Sequence, residues 1–178
     1  MKTISRKAIE AKAKEMLEKC QITEAPVPVE RIAQALGLTV EEAKLGEEVS
    51  GVLVVSAGKG TIGFNSSQSF VRQRFTIAHE LGHYLLHFAP DKLFIDKKYT
   101  AVFNRDQNSA TGEQLEERQA NQFAAALLMP EELLRKELDQ MHFDLTDEHE
   151  LRELALRFGV SGQAMTLRLA RLGITTGQ

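Results

Sequence analysis

The stretch at residues 74–87, "RFTIAHELGHYLLH", holds His79, Glu80 and His83 in the pattern His-Glu-x-x-His inside a segment with helical spacing. With His79 set at zero on a helical wheel, His83 falls at about 40° and Glu80 at about 100°. Ile77, Ala78, Leu81 and Leu85 fall between about 160° and 260°. A polar triplet therefore shares one side of the helix, and an aliphatic stripe anchors the other in a core. Residues four apart stack one turn from each other, so two imidazole nitrogens can reach a single ion at about 2.0–2.1 Å. Glu80 points beside that ion, where a carboxylate can take a proton from an attacking water.

Around this helix the chain reads as one ordinary domain, or a domain with a small appendage. It has 178 residues, 43% hydrophobic and 26% charged, with a formal net charge of −3. Such a charge argues against bulk electrostatic binding of a polyanion. The single cysteine, Cys20, excludes an internal disulfide and a cysteine-rich zinc cluster. The first residues lack an apolar signal core, and no run reaches membrane-spanning length, so a cytoplasmic protein with no membrane partner is expected.

Residues 3–20 read as an amphipathic helix, and "PVERIAQALGL" as a short helix closed by Gly37. Residues 38–65, rich in β-branched residues around "AGKG", read as a strand followed by a hairpin. Residues 89–112 read as a long connection, with a short strand at 99–104. Helices follow at 113–129 and from 131, and residues 149–173 form a pair broken at "FGVS", with Ser161 capping the second helix. The fold expected is α+β: a small antiparallel sheet of about three strands packed on helices, with a helix-turn-helix-like C-terminal pair. The expected division is a zincin-like domain at 1–148 and an appendage at 149–178.

Catalytic zinc keeps three protein ligands and one open position. His87 lies about 12 Å along the axis from His79, so it suits the wall of the cleft better than the ion. The helix at 113–129 offers Glu113, Glu116 and Glu117, of which Glu117 is preferred, with Asn121 one turn on to orient a ligating histidine. The small residues Ala120 and Ala124 allow a close approach. A glycine at position 82 costs a helix about 1 kcal/mol relative to alanine, which close backbone contact would explain.

"RQRFTIAHELGHYLLH" and "ERQANQFAAALLMP" together resemble the ImmA/IrrE family of metallopeptidases, with softer likeness from about residue 26 to residue 173. The resemblance implies a minimal zincin-like core, with His79, His83 and Glu117 as metal ligands and Glu80 as the catalytic glutamate. It implies Zn²⁺, with Mn²⁺ an alternative for a two-histidine, one-carboxylate site. It also implies cleavage of a helix-turn-helix repressor or antitoxin-like partner in a stress or mobile-element circuit. The hairpin at Val52–Phe64 is expected to offer an edge strand to an extended peptide. Tyr99, Arg105, His142 and His149 are candidates to stabilise the oxyanion.

The rival reading is a regulatory protein that binds a partner or DNA and carries only a structural metal. A structural site needs no base beside its first ligand, so Glu80 favours the enzyme. Residues 149–173 are locally basic, as a DNA-contacting pair would be. Their periodic Leu151, Leu154, Ala155, Phe158, Met165, Leu169 and Leu172 favour packing on the core instead.

Overall fold

The structure, a computed structural model, describes residues 3–56, 59–87, 93–97, 112–141 and 147–174. Helix α1 (Arg6–Lys19) starts at Ser5, whose side chain accepts from the Ala8 N–H. Its apolar stripe, Ile9, Ala13, Met16 and Leu17, is buried. Helix α2 (Val29–Ala35) follows, and Gly37 takes the left-handed conformation, φ 75°, that leads into β1.

Strands β1 (Leu38–Ala43), β2 (Val49–Ser56), β3 (Lys59–Asn65) and β4 (Leu93–Lys97) form a four-stranded sheet in the order β1-β3-β2-β4. The α+β class and the helical C-terminal part are as expected, but the sheet differs in detail. It is mixed rather than wholly antiparallel, because residues 44–48 carry the chain past one strand position before β2. The hairpin return, β3, then fills the gap and pairs parallel with β1 and antiparallel with β2. The fourth strand, β4, lies at residues 93–97, in the segment read as a connection, and pairs antiparallel with β2. The strand expected at 99–104 falls outside the described residues. The hairpin does not offer the expected edge strand: β2 and β3 are both flanked, so the edges among the described strands are β1 and β4.

Leu53, Val55 and Ile62 of the sheet are buried in one cluster with Ile77, Ala78 and Leu81 of helix α3 (Phe70–His87). Helix α4 (Gly112–Leu128) packs between α3 and α1. Helix α5 (Glu131–Met141) follows, then α6 (Glu148–Phe158), which is capped by Asp147 and ends in Gly159 at φ 62°. Helix α7 (Gly162–Leu172) has Ser161 as its cap, accepting from the Ala164 N–H at 3.1 Å.

Leu154, Ala155, Phe158, Met165 and Leu169 join the same core cluster, with Leu151 and Leu172 packed against it. Two buried arginines pin the pair further. Arg74 of α3 donates to the Gly159 carbonyl at 3.2 Å and the Val27 carbonyl at 2.8 Å. Arg168 of α7 donates to the Met129 carbonyl at 2.9 Å and pairs through both amino groups with Glu10. Of the other arginines in this pair, Arg157 meets Glu137 at 3.3 Å and Arg152 meets Glu148 at 3.6 Å. The basic residues that suggested DNA contact are thus largely matched by carboxylates of the same chain. Among the described residues, no helix is long and apolar enough to cross a membrane.

Candidate metal centre

The site is built where α3 and α4 nearly touch. A Cβ placed on Gly82 would lie 3.0 Å from Ala120 Cα, 3.1 Å from Ala120 O and 3.3 Å from Ala120 Cβ. No side chain fits there without moving backbone, which accounts for a glycine in the middle of a helix. The close approach brings Glu117, one turn before Ala120, against the two histidines of α3.

His79 Nε2 lies 3.0 Å from His83 Nε2 and 3.2 Å from Glu117 Oε2, and His83 Nε2 lies 3.0 Å from Glu117 Oε1. Two imidazole nitrogens and a carboxylate thus converge within 4.8 Å of one another. Tetrahedral zinc with bonds of about 2.0–2.1 Å has ligand-to-ligand edges of about 3.3 Å. The triangle is slightly tighter than that, and its donor types are those of a catalytic divalent site. On the far side of the ring, His79 Nδ1–H donates to Asn121 Oδ1 at 3.1 Å. That contact fixes the tautomer that leaves Nε2 as a lone-pair donor. The donor set therefore fits a divalent metal.

The electrostatics agree with a ligand set that is ready at neutral pH. Burial pushes the Glu117 carboxyl up, but the hydrogen bonds and charges of His79 and His83 outweigh it and hold the group at about 2. Burial pulls His83 below its ordinary value, only partly offset by its hydrogen bond to Glu117. Both directions favour the forms a metal binds, carboxylate and neutral imidazole.

Glu80, next to His79 in α3, is fully buried. Strand β2 passes against it at Gly51, where an added Cβ would sit 3.2 Å from Glu80 Oε1 and would clash with Thr76 Cγ2. Sequence reading missed this position, although a glycine inside a strand such as "VSGVLVV" is a signal for close backbone approach. His87 is not brought to the triangle: its ring centroid lies 5.8 Å from that of His83. Glu113 is exposed and Glu116 half-buried, and neither belongs to the convergent group. His149 is exposed in the first turn of α6, while Tyr99, Arg105 and His142 lie outside the described residues.

An α+β domain with a His-Glu-x-x-His helix packed against a carboxylate-bearing helix has the make-up of a metallopeptidase-like domain. The model of the Peptidase_M78 family, described as the IrrE N-terminal-like domain, matches residues 33–170, and the chain belongs to that family. A solved Mycobacterium tuberculosis transcriptional regulator has a similar fold, with a TM-score of 0.61 and 16% identity over 91% of this chain. The chain spans only 46% of that protein. No curated protein matches it significantly in sequence.

Proposed function

We propose that the protein is a metal-dependent endopeptidase, with His79, His83 and Glu117 holding a divalent metal, zinc in preference to manganese. The observation that carries this reading is the convergence of those three donors, with a buried glutamate, Glu80, next to His79 on the same helix. When bound, the metal polarises the scissile carbonyl and acidifies a water. Glu80 takes a proton from the attacking water as oxygen adds to the carbonyl carbon, and delivers a proton to the amine nitrogen as the C–N bond breaks. Asn121 holds the His79 ring in register. A glutamate poised this way has no task in a purely structural site, which favours the enzyme over a regulatory protein with a structural metal.

An extended peptide seeking a strand partner would meet the sheet at an edge, and β4 is the edge next to β2, whose Gly51 abuts Glu80. As substrate we propose a helix-turn-helix repressor or an antitoxin-like regulator. Membership of the family and the fold shared with a transcriptional regulator support this choice. The test is incubation of wild type and Glu80→Gln with candidate repressors, above all one encoded next to this chain. Wild type should cut the repressor, and Glu80→Gln should keep its metal and fail to cut. Equal cleavage by the two would refute the role given to Glu80.

A further inference from the structure

Arg72, Thr76 and Glu80 follow one another at one-turn intervals along α3 and form a polar ridge against β2. Arg72 donates to Ser50 Oγ at 2.8 Å, and Gly51 abuts both Thr76 and Glu80. This part of β2 is firmly held. The register shift between Val49 and Gly51 turns Ser50 inwards, where it is fully buried and also accepts from Gln68 Nε2 at 3.2 Å. Asn65 Nδ2 donates to the Val49 carbonyl at 2.9 Å. A Cβ on Gly51 would overlap Thr76 Cγ2 and lie 3.2 Å from Glu80 Oε1, so the threonine methyl and the glutamate carboxylate meet at one point of the strand. Thr76 is fully buried, and its hydroxyl has no hydrogen-bond partner among the described residues. A helical threonine can bond the carbonyl one turn back, but this one does not. A buried hydroxyl left in this state lowers stability, and valine would fill the same space without it. The hydroxyl therefore adds nothing to the fold, yet it stands one turn from the side chain read as the general base.

We infer that Thr76 is a positioning residue for Glu80: its Oγ1–H donates to the Glu80 carboxylate when the metal site is loaded, and holds that carboxylate in one orientation. Side chains on a helix lean towards its N-terminus, so Glu80 leans back over residue 76. Threonine in a helix uses two χ1 rotamers, so the hydroxyl can turn to meet it. An ionised carboxylate has about four acceptor positions and takes this donor beside its other contacts. The inference rests on the endopeptidase reading, in which Glu80 is the base.

The experiment is calorimetric titration of the zinc-loaded full chain with acetohydroxamate, a metal chelator whose N–OH proton passes to a neighbouring carboxylate. Binding is compared in wild type, Thr76→Val, Thr76→Ser, Glu80→Gln and the double variant Thr76→Val/Glu80→Gln, alongside melting temperatures of the metal-free proteins. Thr76→Val should melt about 2–4 °C higher, because it loses a buried hydroxyl without a partner. It should nevertheless bind the probe about tenfold more weakly, while Thr76→Ser binds as wild type does. In the Glu80→Gln background the Thr76→Val effect should vanish, because it acts through that carboxylate. Probe binding that depends on Glu80 but is unchanged in Thr76→Val, or a Thr76→Val loss that persists without Glu80, would overturn the inference and leave the endopeptidase reading standing. A lower melting temperature for Thr76→Val would also overturn it, by showing that the hydroxyl supports the fold. No binding by wild type, or equal binding by wild type and Glu80→Gln, would instead strike the endopeptidase reading and take the inference with it.

Discussion

Replacing Gly82 by alanine sets two local effects of similar size against each other. Alanine in a helix interior is favoured over glycine by about 1 kcal/mol, which alone would raise stability. The new methyl, however, would stand 3.0 and 3.1 Å from the Cα and carbonyl oxygen of Ala120. Carbon atoms pack best at about 3.5–4.0 Å, so the helices must separate by several tenths of an ångström. Overpacking of this kind costs about 1–3 kcal/mol. Helix α4 cannot easily retreat, because Ala120, Phe123 and Ala124 are wholly buried and the helix also packs on α1. The net expectation is a loss of about 1 kcal/mol, or a melting temperature lower by about 2–4 °C. Metal binding should suffer more. Ligand distances tolerate about 0.2 Å, and Glu117 and Asn121 ride on the helix that must move. Affinity should fall by about tenfold or more. Adding Ala120→Gly relieves only the 3.3 Å contact with its Cβ, so rescue should be partial at best. The assays are thermal denaturation of the metal-free protein and competition with a metal-binding dye. A Gly82→Ala protein with a higher melting temperature and unchanged metal affinity would refute the packing argument.

Other expectations concern the same two helices. Asn121→Ala removes the acceptor for His79 Nδ1–H and should weaken metal binding about 10- to 100-fold, measured by dye competition. Asn121→Asp keeps an acceptor oxygen and should lose much less. The metal-free protein should lose stability on acidification. His83 is depressed below its ordinary 6.5, so its contribution is present above pH 6.5 and fades as pH falls. Glu117 is depressed from 4.5 to about 2, so its contribution is intact above pH 4.5 and is lost as pH falls from there towards about 2. Melting temperatures of Glu117→Gln should therefore depend less on pH between 4.5 and about 2 than those of wild type; an identical slope would contradict the assignment.

The parts of the site that lie on helices were legible because helical periodicity converts spacing into direction. His79, Glu80 and His83 shared a face on the wheel, and Glu117 and Asn121 were one turn apart on a helix with small residues. The cost of Gly82 in a helix and the small residues of the 113–129 helix point to a close contact, and Ala120 meets Gly82. The sheet was harder. Strand direction and order depend on which strands meet through space, and five residues between β1 and β2 do not announce that β3 will slot between them. Strand β4 is only five residues long, and its pairing with β2 carries a register shift between Val49 and Gly51 that local pattern does not reveal. Gly51 against Glu80 is likewise a contact between a strand and a helix far apart in sequence. Arg74 and Arg168 look like surface residues by type, yet each is buried because backbone carbonyls, and Glu10 for Arg168, receive its donors.

The ligand assignment is tested most directly by metal stoichiometry. Metal-free wild type, Glu80→Gln, His79→Ala and Glu117→Ala would be titrated with zinc and read by inductively coupled plasma mass spectrometry after desalting. Wild type and Glu80→Gln should each retain one equivalent, while His79→Ala and Glu117→Ala should retain little, because each removes one corner of the triangle. A wild-type protein that retains no metal, or a Glu117→Ala variant that holds it as tightly as wild type, would contradict the site.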